Sequence, residues 1–309
     1  LVFTIALFVG SCESSTRLFF KALLVSGTLA LALTFFAATR DGVPVSTQHS
    51  FTHGFVNPNN ASAYLGIMLL VTLGQIARFF KVPSKSFYKM ILNLIDQLKM
   101  TVILKGGGLL FALLMALAGL FLTGSRAGIL VSLVAAVFFC LMALRKADLE
   151  SRIMKWIIAA AVVIIVVVMT WSFLNFGQVI TFKLERNGVS SNMRLDIFSA
   201  VRPMIADHPL LGTGLGSFPS AFQQYRPADI SSDGIIDKAH NSYLEFAAEM
   251  GVPAFLVLMA ALGWVGYQLY RGMRDRRERY VIPTLGLSVW LLGALYSLVD
   301  FPLQIPGIA

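Results

Sequence analysis

Residues 109–144 read LLFALLMALAGLFLTGSRAGILVSLVAAVFFCLMAL, an apolar run broken by a single charged side chain, Arg126. About 20 apolar residues suffice to cross a bilayer as a helix, and an ionised group at its centre costs about 2.5–3.5 kcal/mol on insertion scales. The run therefore reads as two membrane helices. Arg126 marks the boundary, where a very tight turn through Gly124 and Ser125 joins them. This sets the fold class: all-α, a polytopic transmembrane helical bundle.

The same rule extends along the chain. Uncharged runs cover 22–39, 156–182, 250–270 and 280–299, and 61–80 is a further span with Arg78 in its last turn, while 1–10 has the character of a partial N-terminal one. Seven spans and a stub result. Of the 309 residues 57% are hydrophobic and 13% charged, against about 25% charged in soluble domains, which excludes a water-soluble globule. The net charge of +9 does not imply nucleic acid as a partner, because the basic residues fall between apolar runs instead of clustering on one exposed face.

Assigning the loops alternately to two sides gives one side 17 of the 25 Lys and Arg residues and the other side 8. Short loops rich in Lys and Arg stay in the cytoplasm, so the first side is cytoplasmic. Cys12 and Cys140 are too few and too poorly placed for a disulfide framework. Residue 1 is Leu, inside an apolar stretch with no basic region before it; the chain reads as a fragment of a longer protein.

The outer side carries two notable segments, 40–60 and the large loop 177–240, and chemistry is expected there. Ser190-Ser191-Asn192 followed by Ile197, Val201, Met204 and Ile205 reads as an N-capped amphipathic helix, kinked by Pro203 and ended before Pro209. Its apolar face is expected to lie on the membrane surface.

Three outer residues suit one chemistry. Arg126, in Thr123-Gly124-Ser125-Arg126-Ala127-Gly128, offers a permanently charged planar guanidinium that matches phosphate oxygens bidentately; the alternative is an interfacial anchor that snorkels. Arg194 lies in the first turn of the outer helix, where free backbone N–H groups already favour an anion; the alternative is a solvated pair with Asp196. His240 opens His240-Asn241-Ser242-Tyr243-Leu244-Glu245-Phe246-Ala247-Ala248-Glu249-Met250-Gly251, just before the chain re-enters the membrane. An imidazole can take a hydroxyl proton near neutral pH, with Glu245 or Glu249 to orient it; a structural histidine is the alternative. Asn241, Arg202 and Arg226 are weaker supporting candidates.

Other patterns carry less. Asp229, Asp233 and Asp237 read as a solvated loop, and His49 and His53 lack a third metal ligand nearby. Gly212-Thr213-Gly214-Leu215-Gly216 follows no strand and reads as a turn. Ser86 and Lys89 match S-x-x-K by chance. No metal or other cofactor is expected.

Taken in order, several strings resemble the O-antigen ligase and O-antigen polymerase superfamily of bacterial membrane glycosyltransferases. They are Asn57-Pro58-Asn59-Asn60-Ala61, Thr123-Gly124-Ser125-Arg126, and Arg194 leading through Asp207-His208-Pro209-Leu210-Leu211-Gly212-Thr213-Gly214 to Phe218. His240-Asn241-Ser242-Tyr243-Leu244-Glu245, Glu249-Met250-Gly251 and Asp300-Phe301 complete the set. The resemblance implies a single transmembrane glycosyltransferase domain over 1–309, short of several N-terminal helices and at least one C-terminal helix, with 177–240 as a periplasmic helical loop. It further implies a multi-pass protein of the bacterial inner membrane that works at the periplasmic face. There it moves a glycan from an undecaprenyl-pyrophosphate-linked donor to an acceptor hydroxyl, lipid A core in the ligase branch or another glycan in the polymerase branch; a protein O-oligosaccharyltransferase is a third branch. Arg126 and Arg194 correspond to the family's pyrophosphate-contacting arginines and His240 to its proposed base.

A reading from another class is a transporter or flippase that binds an anionic lipid-linked glycan without chemistry. It calls for ionisable residues deep within spans and interrupted helices, whereas the spans here are almost free of charge and the candidates gather on one outer face.

Overall fold

The computed structural model describes residues 13–40, 57–79, 100–146, 191–227, 230, 236–276 and 280–304. Among them all regular structure is helical: α1 (Glu13–Arg40), α2 (Pro58–Phe79), α3 (Met100–Thr123), α4 (Arg126–Lys146), α5 (Ser191–Asp207), a short α6 (Phe218–Ala221), α7 (Ser242–Met250), α8 (Val252–Asp275) and α9 (Val281–Tyr296). Five of these are long and apolar enough to cross a membrane: Leu18–Phe36, Pro58–Arg78, Gly106–Thr123, Arg126–Ala143 and Val252–Asp275. The chain is a multi-pass membrane protein. The expected span 280–299 is a shorter helix, 16 residues long, because the chain leaves helical geometry after Tyr296 and turns through 297–300. The expected span 156–182 and the stub 1–10 lie outside the described residues, so seven crossings are not counted here.

Two cores hold the protein together. In the first, α2 is the central helix, packed against α1, α3, α4 and α9. Leu65, Met68 and Leu69 of α2 join Ala116 and Leu120 of α3, Ala135 and Phe139 of α4, and Leu285 and Leu292 of α9. Lipid tails are as apolar as these side chains, so close backbone approach and interhelical hydrogen bonds hold such helices together. At Gly128, for example, a Cβ would occupy the space taken by Ser62 Oγ and Tyr296 Oη. Around this core, Phe36 of α1, Leu114 of α3 and Val257 of α8 are exposed to what would be lipid.

The second core is built outside the five candidate spans. Ile197, Ala200, Val201 and Met204 of α5, at helical spacing, pack with Phe218, Phe222, Ile230, Ile236, Ala239 and Ala248. The apolar face of α5 thus lies on protein, not on the membrane surface as its amphipathic pattern suggested. Its partners, stacked Phe218 and Phe222, come from the short α6 and the single 3-10 turn that follows it. Glu249 of α7 ties this loop down by accepting the Phe218 N–H at 2.9 Å.

Candidate active site

The Arg126 turn is built by its own short side chains. Gly124 adopts a left-handed φ of 63°, which closes α3 at little cost. Ser125 then caps α4: its Oγ accepts the Gly128 N–H at 3.1 Å and its carbonyl accepts the Ile129 N–H at 2.9 Å. Arg126 is left as the first residue of α4. Beside this turn stands the buried Tyr296 at the end of α9. Its Oη lies 2.6 Å from Ser62 Oγ, 2.7 Å from the Asn59 carbonyl oxygen and 3.4 Å from Ser125 Oγ. One phenol therefore locks the ends of α2, α4 and α9 together.

Arg194, in the first turn of α5, sends Nη1 to within 3.5 Å of the Val299 carbonyl oxygen. His240 comes to the same stretch from the other direction, with Nδ1 3.3 Å from Asp300 Oδ1. Arg194 and His240 thus meet one short segment, through Val299 and Asp300, and Arg126 follows Ser125, whose Oγ lies 3.4 Å from Tyr296 Oη at the start of that segment.

Asp300 is 1% exposed. Its Oδ1 also accepts the Phe301 N–H at 3.0 Å, while Oδ2 is buried with no hydrogen-bond partner among the described residues. A buried carboxylate is costly unless paired, and among the described residues the side chain facing it is His240, whose contact is an ion pair only when the imidazole is protonated. The imidazole is 22% exposed, with the Phe301 ring 5.5 Å away, centroid to centroid. In the tautomer that carries its proton on Nδ1, toward Asp300, Nε2 is the nitrogen that accepts a proton.

His240 has a positive φ of 53°, the one non-glycine residue with that backbone among the described residues. Such a conformation persists when its surroundings over-determine it, and here both sides are tied. Before it, the Ala239 N–H donates to Glu245 Oε2 at 2.9 Å. After it, Asn241 caps α7, its Oδ1 accepting the Tyr243 and Leu244 N–H groups at 3.0 and 3.1 Å. Four further bonds staple α7 to the end of α9: Asn241 Nδ2 to Leu298 O at 3.1 Å, Ser242 N to Ser297 O at 2.9 Å, Ser242 Oγ to Asp300 O at 3.1 Å and Tyr243 Oη to Ala294 O at 2.8 Å. Burial also pushes the Tyr243 hydroxyl above its ordinary pKa, which keeps it a donor.

The remaining candidates are placed differently from expectation. Glu245 and Glu249 are buried but do not orient the imidazole: Glu245 takes Lys238 Nζ at 3.1 Å, Gln304 Nε2 at 3.0 Å and the Ala239 N–H, and Glu249 takes the Phe218 N–H. Glu249 faces the loop that precedes α7, and Glu245 is shared between that preceding chain and Gln304 beyond α9. Asn241 supports the site as a cap. Arg202 is exposed on α5, and Arg226 hydrogen-bonds Gln223 Oε1 at 3.4 Å. Gly212 and Gly214 form the expected turn, the Thr213 and Gly214 N–H groups donating to the carbonyls of Ala248 and Glu249. Asp237 is exposed; Cys12, His49, His53, Ser86, Lys89, Asp229 and Asp233 lie outside the described residues.

Arg126, Arg194 and His240 also share a sequence signature. Residues 111–259 match the family model described as O-antigen ligase. The matched stretch runs from within α3 into α8 and contains all three residues, and that family is one of membrane glycosyltransferases of the ligase and polymerase type. No curated protein matches the chain. Tyr296, Val299 and Asp300, which contact Ser125, Arg194 and His240 respectively, follow the matched stretch in sequence and return to it in space. Sequence reasoning noted Asp300-Phe301 as a string but missed its contact with His240, and it missed Tyr296 altogether. The available signal was Asp300 itself, an acid at the end of the uncharged run 280–299.

Proposed function

We propose that this protein transfers a glycan from an undecaprenyl-pyrophosphate carrier to an acceptor hydroxyl, with inversion, at the periplasmic face of the bacterial inner membrane. His240 Nε2 removes the acceptor's hydroxyl proton as that oxygen attacks the anomeric carbon. The bond from that carbon to the pyrophosphate oxygen breaks on the opposite side of the sugar, and its electron pair leaves with the carrier. Arg126 and Arg194 bind the pyrophosphate and stabilise the charge that grows on it. Asp300 fixes the imidazole so that Nε2 faces the acceptor. The periplasmic placement draws on the charge asymmetry of the loops.

The observation that supports this reading is that Arg194 and His240 contact Val299 and Asp300, a few residues from Tyr296, whose hydroxyl lies beside the Ser125 that precedes Arg126. A base and two anion-binding groups drawn from three distant parts of the chain suit a transfer from a phosphorylated donor better than a structural role for each. Within the family the proposed acceptor is lipid A core. A deletion strain tests this: core lacking all polymer supports the ligase, core bearing a single repeat unit indicates a polymerase, and unmodified glycoprotein indicates a protein O-oligosaccharyltransferase. The chemistry itself is tested by incubating the purified intact protein in nanodiscs with lipid-linked donor and acceptor. New glycolipid is expected, and its absence alongside donor movement across sealed vesicles would indicate a transporter.

A further inference from the structure

Between α5 and α6 the loop 209–216 exposes three leucines that belong to neither core: Leu210 is 71%, Leu211 86% and Leu215 73% exposed. The loop is not loose. Its Pro209 carbonyl accepts the Val252 N–H at 2.8 Å, and its Thr213 and Gly214 N–H groups bond the Ala248 and Glu249 carbonyls at 3.0 and 2.9 Å. Gly212, at a φ of 65°, packs so closely that a Cβ there would strike the Glu249 carbonyl, and one on Gly251 would strike that of Leu210. The loop is thus a rigid ledge fastened to the first turn of α8.

That attachment fixes its depth. Arg271 marks the charged end of α8, and counting back about 20 residues, one hydrocarbon thickness, reaches Gly251, the residue against which the loop packs. Just inside this level Leu256 and Val257 of α8 are 58% and 71% exposed, and only 6% of that span is buried within the protein. The exposed leucines of the loop stand at this level, beside the first turn of α8 to which the loop is bonded. An exposed apolar cluster marks an interaction surface, and groups at this level insert shallowly among headgroups and upper acyl chains.

We infer that residues 209–216 form a membrane-interface anchor, in which Leu210, Leu211 and Leu215 insert into the leaflet on the site side, its partner being phospholipid. By seating the ledge, the lipid surface sets the height of α7, and with it His240, above the bilayer. The inference rests on the membrane-spanning character of α8 and not on the proposed glycan transfer.

The test uses the intact protein with Cys12 and Cys140 replaced by serine and a single Leu211→Cys or Leu215→Cys carrying an environment-sensitive fluorophore. It is reconstituted in phosphatidylethanolamine and phosphatidylglycerol vesicles. Blue-shifted emission is expected, losing at least half its intensity to lipids with a nitroxide near the headgroup and resisting aqueous iodide. Emission typical of water and quenched by iodide would overturn the anchor. So would blue-shifted emission that nitroxide lipids leave unchanged, since that result means protein covers the loop. Because both leucines are exposed, either cysteine should fold, and the second position checks the first. Loss of glycan transfer has no bearing on this readout.

Discussion

Asp300 Oδ1 lies 3.3 Å from His240 Nδ1, joining the end of α9 to the residue that precedes α7 across 60 positions of sequence. The contact pairs a buried carboxylate with a partly exposed imidazole. It gives the proposed base a fixed orientation, and its consequences are measurable.

Replacing His240 by Ala should lower kcat by about 10²–10⁴, the usual worth of a positioned general base. Asp300→Asn keeps the shape but not the charge, and should lower kcat by no more than that factor while leaving KM for the donor near wild type. Steady-state kinetics of both variants check this. A change confined to KM would assign Asp300 to binding instead.

Arg126→Lys and Arg194→Lys each retain a positive charge but lose the planar fork that grips two phosphate oxygens. Each should reduce kcat/KM for the lipid-linked donor by about 10²–10³, the range for removing one preorganised donor to developing charge. Kinetics with varied donor test this, and Lys variants that match wild type would show that neither guanidinium holds the pyrophosphate bidentately.

Tyr296→Phe removes the hydroxyl shared with Ser62, Asn59 and Ser125. It leaves polar groups buried without that partner, at a cost of about 1–3 kcal/mol. The melting temperature of the purified protein in detergent should fall. Because Ser125 caps the helix that begins at Arg126, donor affinity should weaken as well.

Glu245→Ala strips Lys238, Gln304 and the Ala239 N–H of their shared acceptor. Lys238 is partly exposed and can turn to water, but the buried Ala239 N–H loses its acceptor at a cost of about 1–3 kcal/mol, so the variant should be destabilised in thermal inactivation. Val201→Asp should likewise destabilise, since Val201 is fully buried against protein. A helix face resting on lipid headgroups would tolerate that change far better.

The bundle was legible because charge in a membrane is expensive. Uncharged runs and the Lys and Arg residues between them located the described spans, and the Gly124-Ser125 pair announced the turn at Arg126. The carboxylate at His240 was not legible in the same way. Glu245 and Glu249 are near in sequence, but a helix that leaves His240 carries them toward the chain behind it, while Asp300 arrives from the far end of another helix. The face of α5 was misread for a related reason: amphipathicity reveals that a face is covered, and whether by lipid or by Phe218 and Phe222 depends on how short helical turns later in the chain fold back on it.

The most direct test separates donor binding from transfer in the intact protein, measuring both for the wild type and for His240→Ala, Arg126→Ala and Arg194→Ala in nanodiscs. The expected result is that His240→Ala binds the lipid-pyrophosphate glycan normally and transfers almost none of it, while each arginine variant loses affinity as well as turnover. Wild-type transfer by any of the three would contradict a site in which two guanidiniums and one imidazole act on a single diphosphate-linked donor.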